Sequence, residues 1–591
     1  MIRNDHRAFS PEQYRSRLRF VLGMLLLTAI ALVVRAVDLQ LLDDGFLEGQ
    51  GDARYTRVAK LSANRGDIYD RNGETLAASM PVDTVWASPP EVMKAADQIP
   101  RLAEALNRDS KWLTQVLTSN LERDFVYLVR HMRPSDAAQV AALKIPGVYL
   151  LREYQRFYPA GEVTGHLLGF TKKYEDIGQE GLELAYDRWL GAEAGAKRII
   201  QDRYGRTVED IESIRAPHNG SDLYTSIDLR VQYLAYRELK AAMQERDAKS
   251  GSIVVVDVET GEVLAMVNQP SYNPNDRDQV SASRYRNRAA TDIFEPGSSI
   301  KPFVAAAGLA SGRFHANTVI DTTPWRVGIK LIADHTPLGA IPLTTVLAKS
   351  SNVGMTKMAM SLTPAAMWST LNAFGFGQVS GSGFPGESAG LLNDPKHWSR
   401  INQATISYGY GLAVTPLQLA HAYATLGAGG IARPITLRRV DHAVEGQRVL
   451  DERVAHELIG MMESVVSQNG TGKSAALTGY RVAGKTGTAW KLSETGYGTA
   501  GDRKYTATFG GIVPASRPKL AAIVVIDEPG GKKYYAGDVA APVFANVMAG
   551  ALRLLGVPPD GLDQLPNNSG VTLLQANSGG TVSQVQAGRA Q

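Results

Sequence analysis

The sequence predicts a multidomain α+β chain. It has one membrane-spanning helix near the N-terminus, a mixed α+β region after it, and a C-terminal α/β domain built on an antiparallel sheet flanked by helices. Three observations predict it. At 591 residues the chain exceeds what one hydrophobic core usually holds, about 250–300 residues. One apolar stretch, 20–34, sits between clustered arginines and clustered acids. From residue 223 the texture changes from short apolar runs cut by glycine, proline and charge to longer helical and alternating periods.

The N-terminal stretch is apolar throughout except for Thr28, follows Arg3, Arg7, Arg15, Arg17 and Arg19, and precedes Asp38, Asp43, Asp44 and Glu48. Basic residues before and acids after place its start in the cytoplasm and the remaining chain outside. A bilayer core asks for roughly 20 residues, so the span is expected at 20–42, with Arg35 snorkelling or facing a partner. A cleaved signal peptide is the competing reading, but cutting after Ala29-Ile30-Ala31 would strand Leu32-Val33-Val34 on the mature end. The expected divisions are a cytoplasmic tail 1–19, the helix 20–42, a non-catalytic domain 43–225, a catalytic domain 226–560 and an uncharged Gly/Ser/Asn/Gln-rich tail 561–591 read as disordered.

Within the catalytic part, a helix is expected at 229–245, then strands at 252–258 and 262–267 joined by a turn at Glu259-Thr260-Gly261, and later strands at 507–513 and 521–526. At 44% hydrophobic and 21% charged the bulk is ordinary globular protein. The net charge of +4 is small and no basic aromatic cluster is present, which argues against nucleic acid as a partner. The chain has no cysteine, and no second ligand stands at metal spacing from His166, so neither a metal nor a cofactor is expected and His166 is read as a packed histidine.

The chemistry is carried by three short segments. Ser298 and Lys301 stand three apart between Pro296-Gly297 and an apolar run, which suits a turn into a buried helix with both side chains on one face. A serine nucleophile needs a proton acceptor within reach, and a lysine supplies one when burial and a second cation lower its pKa. Lys485 is the candidate second cation. Ser350 and Asn352 add a hydroxyl and a carboxamide two residues apart, and Lys485-Thr486-Gly487-Thr488 has the small/polar alternation of an edge strand that a ligand backbone can approach. Each segment alone also fits a solvated helix face, a Ser/Asn turn or a glycine-rich turn.

In this order the segments resemble the Ser-x-x-Lys and Lys-Thr-Gly set of penicillin-recognising serine enzymes. Phe294-Glu295-Pro296-Gly297-Ser298-Ser299-Ile300-Lys301-Pro302, Lys349-Ser350-Ser351-Asn352-Val353-Gly354 and Gly484-Lys485-Thr486-Gly487-Thr488-Ala489 resemble class B penicillin-binding proteins of the cell-division (FtsI) type. So do Arg65-Gly66-Asp67-Ile68-Tyr69-Asp70-Arg71-Asn72-Gly73, Gly178-Gln179-Glu180-Gly181-Leu182-Glu183, Asn273-Pro274-Asn275 and Tyr408-Gly409-Tyr410-Gly411. Ala536 departs from the pattern, which commonly has glycine there, and puts a loop conformation in doubt.

The resemblance implies an elongated pedestal domain before a transpeptidase domain of the penicillin-recognising fold, with Arg65, Asp67, Asp70 and Arg71 forming a structural ion-pair cluster in the pedestal. It implies a peptidoglycan D,D-transpeptidase, inhibited by β-lactams, that forms 4,3 cross-links at the division septum through an acyl-serine. In that reading Ser298 is the nucleophile, Lys301 the base, Ser350 the proton relay, Asn352 a donor-peptide contact and Lys485 a source of positive potential. Thr486, Gly487 and Thr488 bind substrate, and the backbone N–H groups of Ser298 and Thr488 form the oxyanion hole. The implied setting is the inner membrane with a periplasmic catalytic domain, beside a SEDS-type (FtsW-like) glycan polymerase and other divisome membrane proteins.

Several rivals share parts of this pattern. Gly479 to Thr486 matches the phosphate-loop pattern G-x-x-x-x-G-K-[ST], but the strand before and helix after that such a loop needs are missing. A β-lactamase lacks the anchor and would need a deacylating glutamate, for which only exposed loop charges such as Glu387 offer themselves. A carboxypeptidase would use the same motifs with water, and a β-lactam sensor would need more than the short cytoplasmic piece. The elongation enzyme usually has aspartate at Asn352 and proline at Glu295, which favours the division type over an elongation-type or conditionally used paralogue.

Overall fold

The computed structural model describes residues 11–38, 56–61, 63–201, 207–492, 496–499, 502–531 and 533–561. The expected tail 561–591 and residues 39–42 of the expected membrane span lie almost wholly outside them, as do residues 1–10.

Helix α1, Pro11–Val37, contains the span Arg15–Val37, which is long and apolar enough to cross a membrane and is not buried against other protein. Thr28, the one polar residue of 20–34, donates its hydroxyl to Met24 O at 2.8 Å, so no hydroxyl donor is left over in that apolar stretch. Arg35 pairs with Asp38.

By contacts the chain divides into two units that interleave along the sequence. The first comprises Met1–Gly66, Pro81–Gln155 and Trp189–Ser221. It holds a three-stranded antiparallel sheet of Thr56–Leu61, Gly195–Gln201 and Thr207–Arg215. A second core there gathers Val92, Ile99, Leu102, Leu113, Leu117 and Val140. The second unit comprises Asp67–Met80, Arg156–Arg188 and everything from Asp222 onward.

The cluster expected around Arg65, Asp67, Asp70 and Arg71 takes another form. Arg71 pairs with Glu262 at 3.2 Å and Asp67 with Arg156 at 3.7 Å, while Arg156 also holds buried Glu183 at 2.6 Å. Asp70 serves backbone instead, accepting from the N–H groups of Asn72, Glu74 and Leu229 at 2.7, 2.9 and 3.1 Å. These carboxylates brace a chain crossing, and Asp67–Met80 groups with the larger unit.

That unit is built on five antiparallel strands. Helix α2, Leu229–Arg246, leads into β1, Ser250–Asp257, and β2, Val263–Gln269. Strands β3, Ala483–Trp490, β4, Tyr505–Val513, and β5, Leu520–Asp527, complete a sheet in the order β2-β1-β5-β4-β3. The strands run within a few residues of their expected limits. The turn at 259–261 closes with Gly261 N–H donating to Asp257 O at 2.9 Å. Strand β3 is the edge strand, paired only with β4, so Lys485 opens no helix and the phosphate-loop pattern has no phosphate-loop structure.

Both sheet faces are covered. On one, α2 and the last helix, Ala536–Leu554, contribute Val231, Leu239, Phe544 and Val547 to a core with Ile253, Val255, Phe509 and Val524. On the other lies the buried helix Pro416–Gly427. Neighbouring Gly510 and Gly511 in β4 face opposite ways, and a Cβ on them would come within 2.6 Å of the Tyr423 and Phe544 rings respectively. Those two rings thus set the spacing of both layers from the sheet.

The helix Lys301–Ala310 runs through this second layer, buried from Lys301 to Leu309. Its Phe303 ring sits 5.0, 5.1 and 5.3 Å from Phe374, Phe376 and Tyr423. Phe303→Ala is therefore expected to cost about 3–5 kcal/mol of stability in that unit. Chemical denaturation monitored on the full chain checks it; a loss below about 1 kcal/mol would contradict the packing described.

Candidate active site

The nucleophile's turn is tighter than expected. Gly297–Ile300 form a 3₁₀ turn that runs directly into the helix Lys301–Ala310, so Ser298 precedes the α-helix instead of lying in its first turn. The turn is braced from three sides. Ser299 Oγ donates to Pro296 O at 2.7 Å, Tyr423 Oη donates to Ser299 O at 3.0 Å, and Gly297 N–H donates to Gly409 O at 3.1 Å. Strand β3 presses on it closely enough that a Cβ at Gly487 would lie 2.7 Å from Pro296 O and 2.9 Å from Ser299 N. Only glycine lets the edge strand approach this turn.

Lys301 and Lys485 both have 0% exposure. Lys301 Nζ donates to Ser350 O at 2.6 Å, Ser350 Oγ at 3.2 Å and Asn352 Oδ1 at 2.8 Å. Lys485 Nζ donates to Ser350 Oγ at 3.0 Å, Thr486 O at 3.0 Å and Thr486 Oγ1 at 3.4 Å. One hydroxyl oxygen therefore receives both lysines. Burial, and then the Lys485 charge, holds the Lys301 amine well below the ordinary lysine value, with Asp334 opposing. Burial alone lowers Lys485 to about 7. Ser298 lies half-exposed at the cleft floor and is not hydrogen-bonded to Lys301 among the described contacts. A long separation in a structure without substrate is common between a serine and its proton acceptor.

Ser350 reaches this position through a left-handed backbone, φ 59°, a conformation that L-residues seldom adopt. It sits between the helices Leu343–Ala348 and Asn352–Met360. Asp334 holds the turn: its carboxylate accepts from the N–H groups of Asn352 at 2.6 Å and Val353 at 3.2 Å and from the Ser351 hydroxyl. Ser351 in turn caps the second helix, accepting from Gly354 N–H at 2.9 Å. Asp334 is the functional residue that sequence reading missed, because it stands in a loop with no spacing relation to Ser350 or Lys301.

The cleft above has a volume of about 540 Å³ and is lined by Ser298, Ser350, Asn352, Thr486 and Thr488 among others. Thr486 Oγ1 shares a 2.7 Å hydrogen bond with Thr471 Oγ1, and Thr488 Oγ1 accepts from Ala536 N–H at 3.0 Å. Ala536 thus begins a helix docked on β3, not a loop. Asn352 faces Lys301 with its carbonyl, so it positions the amine as well as bordering the cleft. Glu387 is half-buried and holds its own loop through Ser380 N–H and Ser382 Oγ. His166 is buried, bonded to Arg284 O at 2.7 Å and pushed down to about 4 by that burial.

The arrangement can deprotonate a serine, hold an acyl ester and return the proton through Ser350. Known proteins are similar to this chain over most of its length. The penicillin binding protein transpeptidase domain matches residues 251–549 and the penicillin-binding protein dimerisation domain matches 60–225. The chain is 43% identical over 571 residues to peptidoglycan D,D-transpeptidase FtsI of Escherichia coli strain K12, covering 95% of this chain and 96% of that one. It is 40% identical to a Pseudomonas aeruginosa protein named "Probable peptidoglycan D,D-transpeptidase PbpC", covering 94% and 98%. A solved peptidoglycan synthetase from Bifidobacterium adolescentis shares the fold with a TM-score of 0.67 at 24% identity, covering 85% of this chain and 97% of that one.

Asp334→Ala leaves the Asn352 and Val353 N–H groups and the Ser351 hydroxyl without their acceptor. An unpaired buried donor costs about 1–3 kcal/mol, so acylation of Ser298 is expected to fall at least tenfold while the fold persists. Stopped-flow acylation beside circular dichroism checks this; unchanged acylation would remove Asp334 from the account.

Proposed function

The chain belongs to the class B penicillin-binding proteins, and from that premise we propose that Ser298 forms the acyl-enzyme by which it cross-links peptidoglycan at the division septum. It is a serine-type peptidoglycan D,D-transpeptidase that binds β-lactams, anchored through a single membrane-spanning helix. The observation that carries the residue assignment is the convergence of Lys301 and Lys485 on the Ser350 hydroxyl beside Ser298.

In this reading the donor stem's terminal D-Ala-D-Ala carbonyl meets Ser298 Oγ. Neutral Lys301 takes the hydroxyl proton as the C–O bond forms, and Ser350 passes a proton to the departing D-Ala amine. The Ser298 and Thr488 N–H groups hold the developing oxyanion, a device worth roughly 10²–10³ in rate per donor. Lys485 and the hydroxyls of Thr486 and Thr488 receive the terminal carboxylate, and Gly487 keeps β3 against the nucleophile. An amine of a neighbouring stem takes the acyl group, giving a 4,3 cross-link. The proposed topology puts the N-terminus in the cytoplasm and domains 43–225 and 226–560 in the periplasm. An FtsW-like polymerase and divisome membrane proteins would be neighbours. Asn352 and Glu295 are what favour division over elongation.

Fluorescent penicillin is expected to label Ser298, and Ser298→Ala to label less than about 1% as fast, consistent with loss of a nucleophile. Undiminished labelling of the mutant, mapped by peptide mass, would reject the assignment. A tagged copy should collect at mid-cell; lateral-wall signal would point to elongation.

The pH dependence has a definite sign. A neutral Lys301 is needed, and burial and then the Lys485 charge hold its amine well below the ordinary lysine value, so acylation rises with pH in a window that starts well below that value. Both lysines would be protonated in the unfolded chain up to the ordinary value, so the fold also gains stability as pH rises across that window. In Lys485→Ala the like charge beside Lys301 is gone, and the rising limb should move to higher pH. Acylation rates across pH 5–10 test this; a limb unmoved by the substitution would contradict it.

A further inference from the structure

The cleft has two unlike ends, and β3 sets its direction. Thr486, Thr488 and Trp490 line it from one face of the strand, at about 6.6–6.8 Å per two-residue step. The Trp490 end is aromatic, with Tyr505 stacked on Tyr534 at 4.0 Å and Arg503 lying 3.9 Å over the Trp490 ring. The Thr486 end is cationic and polar: Thr471 bonds Thr486, Lys473 follows two residues on, and Lys349, next to Ser350, bonds Asn469 two residues before Thr471. Because Thr471 bonds Thr486 and Lys485 bonds Ser350, this end begins where the leaving amine is protonated.

Lys349 Nζ is tied to Asn469 O at 2.7 Å, whereas Lys473 is exposed and forms no ion pair among the described residues. Two carboxylates also line the cleft. Asp334 is occupied by the Ser350 turn, and Asp538 stands at the start of the last helix, Ala536–Leu554.

The function of the cations follows from the order of events. The leaving amine and its replacement bond to the same carbonyl carbon, so microscopic reversibility brings the second in along the path of the first. The acyl part of the donor then extends toward Trp490, and the acceptor enters from the Thr486 end. An acceptor stem is a peptide with several carboxylates around one reactive amine, and unpaired lysines complement it.

We propose that the Thr486 end is the acceptor site, where Lys473, with Lys349 on the same cleft, binds carboxylates of the incoming amine-bearing stem; this rests on the transpeptidase reading of Ser298. In the transfer the amine nitrogen bonds to the acyl carbon and the ester C–O bond to Ser298 breaks. The amine's proton passes through Ser350 to the released Ser298 oxygen, so charge and protons balance. Lys473 is a specificity residue that touches the acceptor and leaves the donor alone.

The test uses the full chain, a D-Ala-terminated thioester donor, and D-glutamate or D-glutamine as acceptor, reading the ratio of aminolysis to hydrolysis; the α-carboxylate of either takes the place of the leaving D-Ala's, and only D-glutamate brings a second carboxylate. With D-glutamate the ratio should fall about threefold in Lys473→Ala and about tenfold in Lys473→Glu, and recover in Lys473→Arg, as expected for an exposed charge pair and its reversal. With D-glutamine it should change less than about twofold, and penicillin acylation should stay within about twofold of wild type. An equal fall for both amines, no fall for D-glutamate, or slowed penicillin acylation would overturn the proposal, the last by placing Lys473 on the donor side. Wild-type protein that penicillin fails to acylate at Ser298 would instead overturn the transpeptidase reading itself.

Discussion

Two lysines with no solvent exposure share one hydroxyl oxygen, and the site depends on that arrangement. An ammonium buried without a counter-ion is costly, and a second one beside it raises the cost, so the pair sheds a proton far more readily than lysine in water. That turns an ordinary cation into a base able to accept a proton from serine. It also makes Ser350, placed between the two amines, the natural path for the same proton toward a leaving group. The remaining machinery keeps the two amines together and dry.

The residues come from three separate parts of the catalytic unit, and each is held by a different device. Lys301 is carried by a helix buried along most of its length, whose nucleophile turn is clamped by Tyr423, Gly409 and the close approach of β3. Lys485 sits on an edge strand whose other face is closed by the rings packed on β4. Ser350 depends on a strained left-handed turn, which persists because Asp334 gathers two backbone N–H groups and a hydroxyl on its far side. A carboxylate that touches no substrate is thus as necessary to the site's shape as the residues that do.

Much of this was legible in the sequence, for identifiable reasons. Strands β1, β2, β4 and β5 announce themselves by apolar runs between turn residues, and the helix at 229 by its period. Lys485 in an edge strand follows from small and polar residues alternating around it. What stayed hidden depends on distant contacts. Asp334 lies 18 residues from Asn352 with no motif linking them. The pairing of Asp67, Arg71 and Arg156 crosses up to 191 residues, which local spacing could not reveal. Ala536 read as a loop departure because its helix start is defined by a bond to Thr488, across 48 residues. The 3₁₀ turn at Ser298 is likewise imposed by β3 and Tyr423 rather than by its own residues.

The cleft's polarity connects this geometry to the reaction. In the proposed reading the aromatic end at Trp490 takes the body of a donor and the cationic end at Thr486 lies where a departing amine is protonated. Such a division suits an enzyme that must exchange one amine for another while keeping an ester from water.

The most direct measurement is an NMR titration of the ¹⁵N-labelled lysine side chains, with the Lys301 and Lys485 Nζ signals assigned by substitution. The account predicts that Lys301 loses its proton well below the ordinary lysine value and that Lys485 titrates near pH 7, where burial places it. Two amines that both stay charged to the ordinary lysine value, about 10.4, would contradict it.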